Sequence, residues 1–530
     1  MTERTGVPHA YVIAGSDCSG GAGVEADLAT LRDLGVHGCS VITAITAQNR
    51  SGVQRVTATP LHQLRACLAA LEQGFPASAV KLGMLCNAGI VAAVGEFLGR
   101  FNGPVVCDPV LGASAGGALL DDAGMEELRR LLPRITLLTP NRQEAQALSG
   151  QAIASAADVE RAAHALRALG AGAVLVTGGH LELGGADCYD YFCSATQAFW
   201  LRGERIDTPH NHGTGCTLSS AIAGALGQGL ALADAVVLGR MVVSHGLRRA
   251  TPLAGGSGAV AHGNWRPRLE DLPRLSPAFP TPNNPPGPGF PALSPPVLGL
   301  YPVVDCATWV ERLFAEGVGV VQLRIKAGDE PALRASIQRA VAAQRRYGGR
   351  LFVNDHWRLA IACGAYGVHL GQEDLATADL AAIARAGLRL GTSNHAWHEL
   401  ARSHALGPSY IALGPIYATT TKAMRFAPQG LEQLQAWVNL LGGHYPLTAI
   451  GGIDVQRAPA VAATGVGSIA VVRAITEAPD YRQAVRALSR CLEGGRGGLA
   501  PGGIDSSQDT YSVQDTYSVQ GTYSSQGIGT

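Results

Sequence analysis

The sequence predicts two α/β units in series: an open, mostly parallel sheet with helices on both faces over residues 1–265, and a (β/α)8 TIM barrel over residues 297–496. Three observations point there. Short apolar, β-branched runs alternate with amphipathic helical stretches through both segments, the pattern of parallel strands buried on both faces. A proline-rich run, PRLSPAFPTPNNPPGPGFPALSPP at 273–296, separates them and cannot form a helix or an internal strand. The second segment fits eight strand candidates into about 200 residues, the count of a barrel.

In the first segment the strand candidates are AYVIAGSD, CSVITAIT, AVKLGML, GPVVCDPV, ITLLTPN and GAVLVTGG, with helices such as 25–34 and 61–73 between them. Open sheets of this kind bind ligands beyond the carboxyl ends of their strands. Residues 266–296 read as a linker, a semi-stiff tether that would let its neighbours move independently. In the second segment the candidates are VLGLYPVV, VGVVQLR, RLFVN, YGVHL, LRLGTS, YIALG, LTAI and SIAVV, and the polar residues gather where these strands end. From 497 to 530 the near-tandem hexads DTYSVQ, DTYSVQ and GTYSSQ carry almost no aliphatic residues, which predicts a disordered tail.

Composition narrows the function. Lysine plus arginine and aspartate plus glutamate number 41 each, so there is no basic field to bind nucleic acid or anionic lipid, and small molecules are the expected partners. The 11 cysteines are odd in number and contain no CxxC pair, which points away from disulfides and zinc and towards a reducing, cytoplasmic setting. The most apolar stretch, 218–239, is broken by Gln228 and Asp234, so no membrane span is expected. The oligomeric state is left open, a homo-oligomer included.

Two constellations carry chemistry. In the first segment HGTGC, residues 212–216, runs into an apolar-periodic helix; Gly213 and Gly215 would leave backbone N–H groups free to cradle an anion at the positive end of the helix dipole. In TPNRQEA, Asn141 and Glu144 lie three apart at a strand-to-helix junction, where an amide and a carboxylate suit magnesium and nucleotide phosphates, or simply begin a helix. Taken in order, IAGSDCSGGAGVEADL, VITAITAQNRSGV, KLGM, DPV, TPNRQEA, GGH and HGTGCTLSSAI resemble the hydroxymethylpyrimidine/phosphomethylpyrimidine kinases of the ribokinase superfamily. The resemblance implies ATP-dependent phosphorylation of 4-amino-5-hydroxymethyl-2-methylpyrimidine and then of its monophosphate. It places Gly15, Asp27, Gln48 and Met84 at the pyrimidine, and Asp108, Asn141 and Glu144 at magnesium and the phosphates, with Gly213 and Gly215 stabilising the transferred phosphoryl group. It makes Cys216 the base, its thiolate favoured at the helix N-terminus. Many members carry lysine before GGH; here Thr177 removes that charge.

In the second segment QLRIK sets Gln322, Arg324 and Lys326 on alternate positions, facing one way at a strand end, and two cations on such a strand call for an anion. Asn354 and Asp355 end the next strand, and GVHLGQED adds His369, Gln372 and Asp374; Asp355 and Asp374 arise from successive strand ends, near enough to share a hard cation such as magnesium. Ser393, Thr419, Thr421 and Lys422 suit a diphosphate, and Gly451 and Gly452 bring backbone N–H groups to a phosphate at the seventh strand end. These motifs resemble thiamine-phosphate synthase. That implies displacement of diphosphate from the pyrimidine by 4-methyl-5-(2-phosphoethyl)thiazole, with Gln322, Arg324, Lys326, Asn354, Ser393 and Lys422 on the pyrimidine diphosphate, Lys422 also among the catalytic groups, Asp355 and Asp374 on magnesium, and Thr419, Thr421 and Gly452 towards the thiazole phosphate. Arg473 stands in a stretch where members often carry serine or arginine.

The two resemblances meet in one pathway, since the product of the first unit is the substrate of the second. The competing readings are a pyridoxal-type kinase, opposed by the cysteine of HGTGC and the AQN run; a thiazole tautomerase barrel, opposed by the joint presence of QLRIK, ND, GQED and TTTK; and a ligand-sensing protein with decayed sites.

Overall fold

Alternation along the first strand, β1 (His9–Asp17), sets the frame of the N-terminal unit: Tyr11 and Ile13 enter one apolar layer, Ala10, Val12 and Ala14 the other. The computed structural model describes residues 6–494 except 50–51, 113–116, 180–184, 254–255, 282–286, 288 and 420–426. The tail expected to be disordered, 497–530, lies outside the described residues.

Strands β2 (His37–Asn49), β3 (Gly52–Ala58), β4 (Ala79–Leu82), β5 (Val105–Cys107), β6 (Leu137–Leu138), β7 (Val174–Val176), β8 (Asp187–Cys193), β9 (Ala198–Glu204) and β10 (Arg274–Ser276) complete a ten-stranded sheet in the order β10-β9-β8-β7-β6-β5-β4-β1-β2-β3. Six consecutive strands, β7-β6-β5-β4-β1-β2, are parallel, as the sequence predicts; β3 pairs antiparallel with β2 at one end, and at the other β8, β9 and β10 each pair antiparallel with the strand before. Helices Gly23–Asp33, Thr214–Gly227 and Leu232–Arg248 cover one face. Helices Leu61–Gly74, Ala88–Leu98, Asp122–Leu131, Arg142–Ser149 and Ala156–Ala168 cover the other.

All eight strands expected of the barrel form: β11 (Gly299–Val304), β12 (Val320–Leu323), β13 (Arg350–Asn354), β14 (Gly367–Leu370), β15 (Arg389–Asn394), β16 (Tyr410–Leu413), β17 (Leu447–Ile450) and β18 (Ser468–Val471). They are parallel throughout and close when β11 pairs with β18, Gly299 opposite Ser468. The interior is filled by Tyr301, Val303, Val320, Phe352, Tyr410 and Ala412, and the outer layer packs against the helices.

The expectation of an independent tether is corrected. Few side chains of the proline-rich run are apolar, yet these are anchored. Leu275 on β10 is buried against β9, and Phe279 packs on Tyr189 and Trp200 at 4.8 and 5.0 Å between ring centres. On the other side Leu293 is buried in the barrel core, Phe290 N–H donates to the Gly407 carbonyl, and Ser409 donates to that of Pro291. The units also meet directly: Ala401, on the barrel helix Trp397–Leu406, is buried in the layer formed by the helix Leu232–Arg248. There the Asp234 carboxylate accepts both the backbone N–H and the imidazole Nδ1 of His398, each at 2.8 Å.

Candidate active sites

At the carboxyl ends of β1, β4 and β5 the chain assembles a layered charge cluster. Gly213, at φ 83°, caps the helix Thr214–Gly227, and a Cβ there would stand 2.1 Å from the Gly21 carbonyl oxygen; only glycine lets the two loops meet. One residue into the helix, a Cβ on Gly215 would lie 2.9 Å from Asp108 Oδ2, so the carboxylate that ends β5 faces the anion cradle. Burial pushes Asp108 up to about 6, with Lys81 opposing. Burial and then the Asp108 charge push Glu144 up to about 8. Asn141 and Glu144 form a reciprocal capping box, Asn141 accepting from the Glu144 N–H at 3.1 Å and Glu144 accepting from the Asn141 N–H at 2.9 Å. The ordinary helix start is therefore what the geometry contains, and Glu144 lies within reach of the Asp108 charge. Thr177 lies alongside in a parallel bridge to Asn141.

Gly15 and Met84 touch, a Cβ on Gly15 falling 2.9 Å from Met84 Sδ. Gln48, on β2, hydrogen-bonds the Asp17 carboxylate. Asp27 is fully buried: Lys81 Nζ binds its two oxygens at 2.7 and 2.6 Å and Ser220 donates to one at 2.7 Å, so it stands behind the pocket wall rather than on it. Cys216 lies among these charges. Burial pushes its thiol up to about 12; Lys81 opposes, while Asp27 and Asp108 add to the rise. Burial first, and the two carboxylates after it, thus work against the thiolate that the helix N-terminus favours.

Sequence reading missed Lys81 and the pair Asp17–His212. Burial alone would lower Lys81, but Asp27, then Cys216 and Asp108, hold it charged. A lysine in the otherwise apolar AVKLGM is the signal that would have found it. Burial would raise Asp17, yet hydrogen bonds from His212, at 2.9 Å, Gln48 and Ser19 hold it well below the usual carboxylate range.

In the barrel the strand ends converge as expected, with one change. β12 stops at Leu323, so of the three only Gln322 lies on the strand; Arg324 follows it directly, its N–H donating to the Val304 carbonyl, and Lys326 lies farther out and exposed. Asn354 is buried at the end of β13, and Asp355 follows at φ 62°, a left-handed conformation rare outside glycine. Partial burial, the Asp374 charge and a hydrogen bond with Asp374 raise Asp355 to about 6, while Arg324 opposes. Thr419 follows β16, and Gly452, at φ 65°, leaves room for a Cβ only 2.6 Å from the Ala418 carbonyl oxygen, so the two loops are in contact. Arg473 opens the helix Arg473–Thr476 after β18. Thr421 and Lys422 lie outside the described residues.

Beneath this mouth runs a chain of hydrogen bonds: Gln322 Nε2 donates to Tyr301 Oη at 3.0 Å, Tyr301 meets Tyr410 at 2.7 Å, Tyr410 meets His369 Nδ1 at 2.7 Å, and His369 Nε2 meets Ser393 Oγ at 2.8 Å. Gln372 Nε2 donates to the Ser393 carbonyl at 2.7 Å. A Cβ on Gly391 would fall inside the Tyr410 ring edge, 2.1 Å from its Cζ, which explains that glycine. The tyrosines were not anticipated, because their partners lie up to 109 residues away.

These geometries agree with comparisons to known proteins. Residues 17–261 match the family model of phosphomethylpyrimidine kinase, and residues 300–475 that of thiamine monophosphate synthase. Thiamine-phosphate synthase of Pectobacterium atrosepticum is 57% identical over 197 residues, 37% of this chain and 92% of that protein. That of Yersinia pseudotuberculosis is 56% identical over 207 residues, 39% and 95% respectively. Among solved structures, a phosphomethylpyrimidine kinase from Clostridium difficile 630 is 34% identical with a TM-score of 0.40, covering 45% of this chain and 99% of its own. An ADP complex of Bacillus subtilis pyridoxal kinase is 32% identical with a TM-score of 0.45, covering 48% and 98%. No helix among the described residues is long and apolar enough to cross a membrane. The chain thus belongs to the thiamine-phosphate synthase family through its barrel and carries a phosphomethylpyrimidine kinase domain ahead of it, the pairing of a bifunctional enzyme of thiamine biosynthesis.

Proposed function

We propose that the two sites divide the work as follows. In the N-terminal unit, Gly15, Gln48 and Met84 hold 4-amino-5-hydroxymethyl-2-methylpyrimidine, with Asp27 fixing the wall behind them. ATP phosphates lie on the N–H groups of residues 213–215, and Cys216 receives the hydroxymethyl proton as that oxygen attacks the γ-phosphoryl group. Only the thiolate can take that proton, so the Cys216 thiol, which burial holds up to about 12, first gives its own proton to solvent, a loss that the N–H groups of residues 213–215 and a bound cation would favour. The observation that carries this reading is Asp108 set against Gly215 at the mouth of the anion cradle.

Magnesium would suit both sites by the chemistry of their donors, a pair of carboxylates in each: Asp108, whose charge raises Glu144, and Asp374, whose charge raises Asp355. Bound there, the ion supplies neutralisation of phosphate charge. In the barrel, Arg324, Lys326, Asn354, Ser393 and Lys422 hold the pyrimidine diphosphate, Gln322 the ring, and Thr419, Thr421 and Gly452 the thiazole phosphate. The leaving diphosphate departs from a resonance-stabilised pyrimidine cation, which the thiazole nitrogen captures; such a route needs charge stabilisation more than a base. Arg324 and Lys326 at the mouth support that reading.

Mass spectrometry of the purified chain given hydroxymethylpyrimidine, thiazole phosphate, ATP and magnesium tests the assignment. Wild type yields thiamine monophosphate, Asp374→Ala accumulates pyrimidine diphosphate, and Cys216→Ala forms no phosphorylated pyrimidine. Phosphorylation of pyridoxal in place of the pyrimidine would overturn the kinase reading.

A further inference from the structure

Behind the nucleotide side of the kinase site lies a buried ion pair with no part in the chemistry above. Asp190, on β8, and Arg240, on the helix Leu232–Arg248, are both in the core, with Arg240 Nε donating to Asp190 Oδ2 at 2.9 Å and Nη1 to Ser244 Oγ at 2.6 Å. The other carboxylate oxygen, Oδ1, accepts the backbone N–H of Gly178 at 2.7 Å. Gly178 follows β7, and a Cβ there would fall 1.7 Å from the Tyr189 carbonyl oxygen, so β8 presses directly on this loop. Its neighbours are held as well. Thr177 N–H donates to the Pro140 carbonyl at 2.9 Å, and Arg205 Nη1 to the Gly179 carbonyl at 2.9 Å.

A buried ion pair is a poor device for stability, since an apolar pair of similar volume does as well or better. What this one supplies is a charge-assisted hydrogen bond that fixes one backbone N–H in direction and depth. That N–H belongs to the loop at the carboxyl end of β7, beside Asn141, where an open sheet of this kind receives its ligand. Thr177 brings no charge to the loop, so the placement of its backbone matters more. We propose that Asp190 and Arg240 are positioning residues for the nucleotide: they hold residues 177–179 against Asn141 in the conformation that receives the ATP polyphosphate. The proposal rests on the reading of the N-terminal unit as an ATP-dependent kinase.

The test uses the full chain with Arg240→Met, Arg240→Lys and the near-isosteric Asp190→Asn, each checked for an intact thermal transition. The KM for ATP should rise about 10-fold or more in Arg240→Met and Asp190→Asn, as expected of a misplaced binding loop. The KM for the pyrimidine and the barrel's synthase rate should stay at wild-type values, and Arg240→Lys should recover part of the ATP affinity. Parallel changes in both KM values, or an unchanged KM for ATP, would reduce the pair to a structural role and overturn the proposal. Calorimetric binding of a non-hydrolysable ATP analogue separates this from the functional reading. Wild type that binds the analogue without phosphorylating the pyrimidine refutes the activity alone, whereas equal binding by wild type and Asp190→Asn refutes the positioning role.

Discussion

The two sites handle the same intermediate with opposite distributions of charge. In the kinase unit the charged groups are interior: Asp27 and Lys81 are both fully buried, and Asp108 and Glu144 nearly so. In the barrel the interior is a hydrogen-bonded chain from Gln322 through two tyrosines and His369 to Ser393, with no carboxylate, lysine or arginine in it, and Arg324, Lys326, Asp355 and Asp374 stand at the mouth. Buried charge is costly unless each ion keeps its partner, whereas rim charge is cheap in the absence of ligand. The difference teaches that electrostatics in the first unit belongs as much to folding as to chemistry, and in the second almost wholly to chemistry.

The sharpest way to break this comparison is Lys81→Met. It leaves Asp27 without its cation beside Asp108 and Cys216, and should cost the kinase unit about 3–5 kcal/mol in denaturant unfolding. Adding Asp27→Leu should recover most of that, because the pair is then replaced by apolar volume. A single variant within about 1 kcal/mol of wild type would show that charge is not structural there.

Asp374→Asn is the counterpart at the barrel mouth. It relieves repulsion on Asp355, so the unfolding midpoint should hold or rise slightly. Synthase turnover should nonetheless fall by about 100-fold or more, the scale of a lost transition-state contact. A matching loss of stability would place the mouth carboxylates in the same class as Asp27.

Legibility in the sequence divides along the same line. The eight barrel strands were readable because each is a short β-branched run buried on both faces, and the mouth residues because they sit where those runs stop. The hairpin β8–β9, DCYDYFC and AFWLRGE, and the edge strand β10 were not, since aromatic and charged residues at a sheet margin lack that signature. Lys81, Asp190 and Arg240 escaped because their partners are 54 and 50 residues away, and spacing along the chain says nothing of such contacts. Even the proline-rich run hid its role, which depends on Leu275, Phe279 and Leu293 finding surfaces supplied by two different units.

The hydrogen-bonded relay offers a smaller effect. Tyr410→Phe removes the hydroxyl between Tyr301 and His369 and strands both inside the barrel, which should cost about 1–3 kcal/mol in barrel stability. Ser393→Ala, at the open end where water can substitute, should cost less than half as much. Equal costs would mean that the relay is as wet inside as at its rim, and the contrast with the kinase interior would weaken.

The smallest effect concerns the join between the two regions. Burial lowers the His398 imidazole, but the hydrogen bond and charge of Asp234 more than offset this and raise it above its ordinary value. A base whose folded value is raised contributes stability in full below the unfolded value, near 6.5, and loses it as pH climbs through the folded value. Of the groups around it, Asp234 and Glu399 raise His398 and Arg402 opposes, while His404 on the same helix, which burial pushes down to about 4, stays neutral from pH 6 to 9. In calorimetry of the full chain the melting of the kinase unit should therefore be about 2 °C higher, relative to His398→Gln, at pH 6 than at pH 9. A wild-type-to-variant difference that is the same at both pH values would mean that the helix packing around Ala401, and not the Asp234–His398 pair, holds the two sites together.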